Sequence, residues 1–64
     1  MNIYHQYKVL TGNRRPIKIV ASYYEYECEQ GVIKFFKDNM LGTPIAIFPI
    51  NNTSVILDKL NVWQ

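Results

Sequence analysis

From Ile17 to Lys37 the chain reads IKIVASYYEYECEQGVIKFFK, two runs rich in β-branched and aromatic residues on either side of a single glycine. Such side chains lose rotamer freedom in a helix and pack well on a pleated surface, so the stretch points away from helical folds. Residues 17–29 are predicted as one long strand, with Val20, Tyr24 and Tyr26 on one face and Ile19, Ala21 and Tyr23 on the other. Residues 29–31 make the turn, where Gly31 supplies a permissive backbone, and residues 32–38 return as the partner strand.

The rest of the chain follows the same rule. Residues 2–10 carry β-branched and aromatic side chains without a helical period, and TGNRRP (11–16) reads as a turn. After the loop NMLGT (39–43), Pro44 opens a strand over 45–50, and Pro49 within it marks an edge or a bulge. NNT (51–53) turns the chain into a last strand over 54–60, and NVWQ either extends that strand or lays Trp63 across an open end. The expectation is one domain over 1–64, all-β: a five-stranded antiparallel meander curled toward a small SH3-like or Sm-like barrel.

Face by face, Ile33 and Phe35 share one side, and Val32 and Phe36 share the other with Lys34. Ala46, Phe48 and Ile50 likewise oppose Ile45 and Ile47. Ile33, Phe35 and Phe48 with Val20 are the predicted core. A sheet with one wet face alternates apolar with polar residues, whereas here both faces carry large apolar groups. Something must cover the second face: a curled barrel, the C-terminal tail or a second subunit.

A 64-residue chain gains little from burial beyond the entropy it loses on ordering. Its one cysteine, Cys28, cannot close an internal disulfide, and with His5 as the one histidine no four-ligand zinc site can be assembled. Self-association, as a homodimer or larger, is therefore expected to supply stability. A lone cysteine suits a reducing compartment. MNIYHQYKVL lacks the basic start and apolar run of a signal peptide, and no stretch approaches a membrane span, so a cytoplasmic protein with no membrane partner is expected. In that setting the overlapping sequons at Asn51 and Asn52 read as a loop.

Little in the sequence points to catalysis. No nucleophile motif surrounds Cys28 or His5, and the three glycines sit singly in separate turns rather than in a phosphate-cradling loop. Glu25, Glu27 and Glu29 share one parity, an arrangement that suits paired acid–base chemistry but suits a solvated strand end better. The expectation is a non-enzyme with no cofactor and no metal.

Two kinds of binding remain. Net charge is +2, seven Lys and Arg against five Asp and Glu, too mild to demand nucleic acid. Arg14, Arg15 and Lys18 nevertheless gather at one loop, and rings on a sheet beside a basic loop are how single strands are held. Against this, Glu25, Glu27 and Glu29 are expected to set negative charge beside Tyr24 and Tyr26. Binding to a protein draws on the residue types that dominate interfaces, and Tyr23, Tyr24, Tyr26, Met40 and Trp63 are the candidates. Protein binding is the first expectation and nucleic-acid binding the alternative.

The segment VASYYEYECEQGVIKFFKD, with PIAIFPINNTSVI after it, resembles a loose group of small β-rich proteins of phages and prophages of low-GC bacteria. The shared elements are an Ala, then Tyr-Glu, then Gly31-Val32 leading to Phe35 and Lys37-Asp38, then Ala46, Phe48 and Pro49 before a last strand. The likeness spans Val20 to Ile56 and is interrupted by the longer loop NMLGT. It implies a small accessory or inhibitory protein that binds and occupies a host factor, and it implies no catalytic residues. The abundance of Ile, Asn, Lys and Tyr fits AT-rich coding DNA of that kind.

Overall fold

The structure, a computed structural model, describes residues 3–37 and 42–62. It is all-β, with six strands: β1 (Tyr4–Thr11), β2 (Ile17–Ala21), β3 (Tyr23–Glu27), β4 (Val32–Phe36), β5 (Ala46–Pro49) and β6 (Thr53–Val62). They form two antiparallel three-stranded sheets, ordered β2-β1-β6 and β3-β4-β5. The expected meander pairings hold between β1 and β2 and from β3 to β5. The last strand departs from it, returning to pair with the first.

The sixth strand arises where the sequence reads as one long strand. Residues 17–27 bend at Ser22, and the two halves serve different sheets. The Ser22 N–H donates to the Phe36 carbonyl at 2.8 Å, and its hydroxyl donates to the Lys37 carbonyl at the same distance. The corner thus leaves neither donor of Ser22 unmet where the ladder breaks.

The bend also shifts the alternation by one residue. Before it, Ile17, Ile19 and Ala21 face inward; after it, Tyr24 does. This corrects the expectation that Val20 belongs to the core. Val20 stands opposite Gln6 on the outer face of the first sheet, and Ala21, fully buried, takes the inner place.

The core consists of Tyr7, Val9, Ala21, Ile33 and Phe35, with Phe48, Ala46, Ile50 and Val55 packed against it. Ile33 and Phe35 are buried as expected, and Phe48 closes on the Phe35 ring edge-on at 5.8 Å. At the two tight turns the backbone demands left-handed residues: Gly31 (φ 68°) ends the β3–β4 turn, and Asn52 (φ 61°) sits between β5 and β6.

The Cα frame measures 34 × 25 × 13 Å. A body that thin shields one face of each sheet and leaves most of the other to solvent, with Phe36 buried on the outer face as an exception. Ile45 and Ile47 accordingly remain half exposed on the outside of β5 while Ala46 and Phe48 point inward. The phase shift is testable by urea denaturation. Ala21→Leu overpacks a closed site and is expected to cost about 1–3 kcal/mol, whereas Val20→Leu at the outer face should cost far less. The reverse order would place Val20, not Ala21, in the core.

Candidate functional site

A ladder of rings runs from the core to the surface along β3. Tyr24 lies directly across from Phe35, and Tyr26 from Ile33, so both tyrosines project from the inner face of the second sheet. Tyr24 meets Tyr7 edge-on at 5.2 Å and Phe35 at 5.5 Å, which ties the two sheets together. Tyr26 stands next to Tyr24 at 6.0 Å, beyond the end of the core, and 51% of it is exposed. Its ring is therefore presented to solvent on a support that is itself packed.

Tyr23 behaves differently. It projects from the opposite face of β3 and stacks on its cross-strand neighbour Phe36, rings 4.9 Å apart and 15° from parallel. It covers Phe36, which is buried, and so has a structural task. The three tyrosines are thus divided rather than united. Tyr24 is an inner ring, Tyr23 is a cover, and Tyr26 is the exposed one. Met40 and Trp63 lie outside the described residues.

The glutamates also fall elsewhere than expected. Glu25 and Glu27 share their face with Tyr23, on the far side of β3 from Tyr24 and Tyr26. Glu25 faces Lys34 across the strands, and Glu27 Oε1 approaches Lys34 Nζ to 3.7 Å. Glu29 sits in the exposed turn beyond the strand. The expected juxtaposition of carboxylates with the Tyr24–Tyr26 rings is overturned, because alternation separates neighbours in sequence onto opposite faces.

The basic residues disperse. Arg14 and Arg15 are exposed at the β1–β2 turn, and Arg14 borders a groove of about 460 Å³ whose apolar wall includes Ile17, Ile47, Phe48 and Pro49. Lys18 instead stands directly opposite Lys8 on the outer face of the first sheet. The structure therefore brings Arg14 near Phe48 and separates both from Lys18.

His5 accepts a hydrogen bond at Nδ1 from the Asn61 N–H, 3.2 Å away, and touches Tyr7 edge-on. It helps to anchor the end of β6. Cys28 is exposed in the β3–β4 turn. Among the described residues no three His, Cys, Asp or Glu side chains are grouped to hold a metal ion, and no helix is long and apolar enough to cross a membrane.

The chain was compared with protein-family models, curated proteins and solved structures, and nothing matches it.

One set of surface residues escaped sequence reasoning. Ile56, Leu57 and Leu60 on β6 are 47%, 49% and 64% exposed. The signal was present in Val55-Ile56-Leu57, three consecutive apolar residues on a strand, of which alternation must turn at least one outward.

Tyr7 links the ring ladder to pH. Burial, with a smaller contribution from Tyr24, raises its hydroxyl above the ordinary tyrosine value of 10.0. The unfolded chain then ionises first, so the contribution is complete below pH 10.0 and is lost as pH rises through the higher folded value. Thermal melting at a series of alkaline pH values should show a destabilisation that Tyr7→Phe reduces. Identical alkaline slopes in the two proteins would exclude Tyr7 as its source.

Proposed function

We propose that this protein is a non-enzymatic binding module that acts by engaging and occupying a protein partner. The observation that carries the reading is Tyr26, half exposed and beside Tyr24, whose own ring packs on Tyr7 and Phe35. A ring held by packed neighbours loses little freedom on binding, and interface energy concentrates in such aromatic anchors. The bend at Ser22, with the first strand lying between the second and the last, supports an SH3-like or Sm-like small barrel as the finer description of the fold. Exposed apolar residues on both sheets support self-association as well. A phage- or prophage-encoded accessory protein that inhibits a host factor in the cytoplasm is the setting this reading favours.

One observation favours a second reading. With Glu25 and Glu27 turned away from the inner face, the carboxylates no longer stand beside the rings, and Arg14 borders the groove that Phe48 lines. A single strand of nucleic acid lying in that groove would meet one ring and one guanidinium. Lys18 and Lys8 lie on a different face, which leaves the charge available there small. Protein binding therefore remains the stronger reading.

The two separate in one experiment. The protein is used to capture partners from host lysate with and without nuclease, and affinity for the captured species is measured against salt. Protein recognition predicts capture that survives nuclease, and a loss of about 2 kcal/mol, roughly thirtyfold, on Tyr26→Ala. Tyr26→Ala should leave the melting temperature nearly unchanged, because the ring is already half in water. Capture abolished by nuclease, with affinity falling steeply in salt and lost on charge reversal of Arg14 and Arg15, would establish nucleic acid instead.

A further inference from the structure

We infer that the outer edge of β6 is the self-association surface, where a second copy of the chain adds its own β6 antiparallel about a two-fold axis through Ile56. The inference rests on the self-association reading above and names the surface that would carry it.

The backbone sets the first condition. The Gly12 N–H donates to the Asn52 carbonyl at 2.9 Å, and antiparallel pairs alternate between bonded and non-bonded. With Leu10 opposite Ser54 and Lys8 opposite Ile56, those residues continue the bonded set toward β1. Val55 and Leu57 therefore turn their N–H and C=O groups away from β1. β6 lies at the edge of its sheet, and no described strand takes up those groups.

The open edge of β5 is less competent. By the same alternation, counted from the Ile50 N–H that donates to the Gly31 carbonyl at 2.9 Å, its outward residues are Ile47 and Pro49. Proline has no N–H to give, a known protection of sheet edges. The edges at β2 and β3 are five residues long and carry Lys18 or the pair Glu25 and Glu27, whereas β6 has ten residues and no proline.

Side chains then select the register. A two-fold axis normal to the sheet keeps each residue on its own face, so one residue must meet its own copy at the centre. Centring on Val55 sets Ile56 against Ser54 and Leu57 against Thr53. Centring on Leu57 sets Ile56 against Asp58 and Val55 against Lys59. Centring on Ile56 sets Ile56 against Ile56, Val55 against Leu57 twice, and Ser54 against Asp58 twice. Only this last register gives both exposed apolar side chains of the regular segment, Ile56 and Leu57, an apolar partner. It also pairs the outward groups of Val55 with those of Leu57, which exchange both hydrogen bonds on each side of the axis.

The length of the contact is bounded. The β1–β6 register slips between Tyr4 and Tyr7, which on β6 means between Leu57 and Lys59 and again before Val62, and Asn61 adopts φ 54°, so the regular run of β6 is 53–57. The continuous pairing thus covers the regular part of β6 and joins two three-stranded sheets into one of six strands.

Ile56 forms a non-hydrogen-bonded pair with its copy in this arrangement, with Cα atoms about 4.5 Å apart, within disulfide range. The test is made in full-length protein carrying Cys28→Ser. Adding Ile56→Cys should give a covalent dimer under oxidised glutathione. Light scattering of the unmodified protein at rising concentration runs alongside, with Ile56→Lys as the disruptive variant; Ile56 is half exposed, so this variant should fold. Ile56→Lys is expected to weaken dimerisation by more than about tenfold. A monomer at every concentration would remove self-association and this interface together. A dimer that persists in Ile56→Lys, or fails to crosslink through Ile56→Cys, would leave self-association standing and overturn β6 as its surface.

Discussion

The corner at Ser22 is the constraint on which the structure depends. One continuous run of chain leaves the first sheet as Ile17–Ala21 and enters the second as Tyr23–Glu27, with no loop between. Two hydrogen bonds from Ser22 to the end of β4 hold the turn. Because the corner consumes one residue, Ala21 and Tyr24 both face inward although three positions separate them in sequence. A small residue at 21 lets the sheets approach, and the Tyr24 ring then crosses to Tyr7 on the other sheet. Without the shift, Val20 and Tyr24 would share a face, and the rings that join the sheets would point apart.

From that contact the remainder of the core follows. Phe35 lies against Tyr24, Tyr7 and Phe48, touching rings contributed by both sheets. No described buried side-chain nitrogen or oxygen is left without a hydrogen-bond partner. A small, wholly apolar and aromatic interior is how a chain of this length can hold together with no disulfide, since each desolvated polar group would cost more than the margin available. The interior ends abruptly, however. Tyr26, only two residues beyond Tyr24 on the same face, is already half in solvent.

How much of this was legible follows from what alternation encodes. It gives the face of each residue within a strand, and the grouping of Ile33 with Phe35, and of Ala46, Phe48 and Ile50 against Ile45 and Ile47, rests on nothing else. It does not reveal a corner inside an uninterrupted β run. IKIVASYYEYE has apolar residues at both parities, and a single phase drawn through it assigns Val20 inward and Tyr23 to the face of Ala21. A change of phase at Ala-Ser would reconcile Ile17, Ile19 and Ala21 with Tyr24 and Tyr26, but periodicity alone does not choose between a bend and a two-faced strand. The candidate site suffers for the same reason. Glu25 and Glu27 look adjacent to Tyr24 and Tyr26 in the sequence, and the strand holds them on opposite sides. How far the core extends along a strand depends on the packing of the other sheet, so Tyr26 could not be told from Tyr24.

Two of the four edge strands, β5 and β6, handle the exposure of backbone in opposite ways. On β5, Pro49 removes a donor from the free edge while Ile45 and Ile47 stay half exposed beside it. That surface can offer apolar contact but little strand pairing. On β6 the free donors and acceptors of Val55 and Leu57 coincide with exposed Ile56 and Leu57, so hydrogen bonding and apolar contact are offered together. A partner that pairs with β6 must be extended, and the proposed second copy meets that condition with its own β6. Tyr26 belongs to the inner face of the other sheet, on the strand at that sheet's own edge. A copy bound along β6, as proposed, would pair with the first sheet and leave β3, at the edge of the other sheet, uncovered.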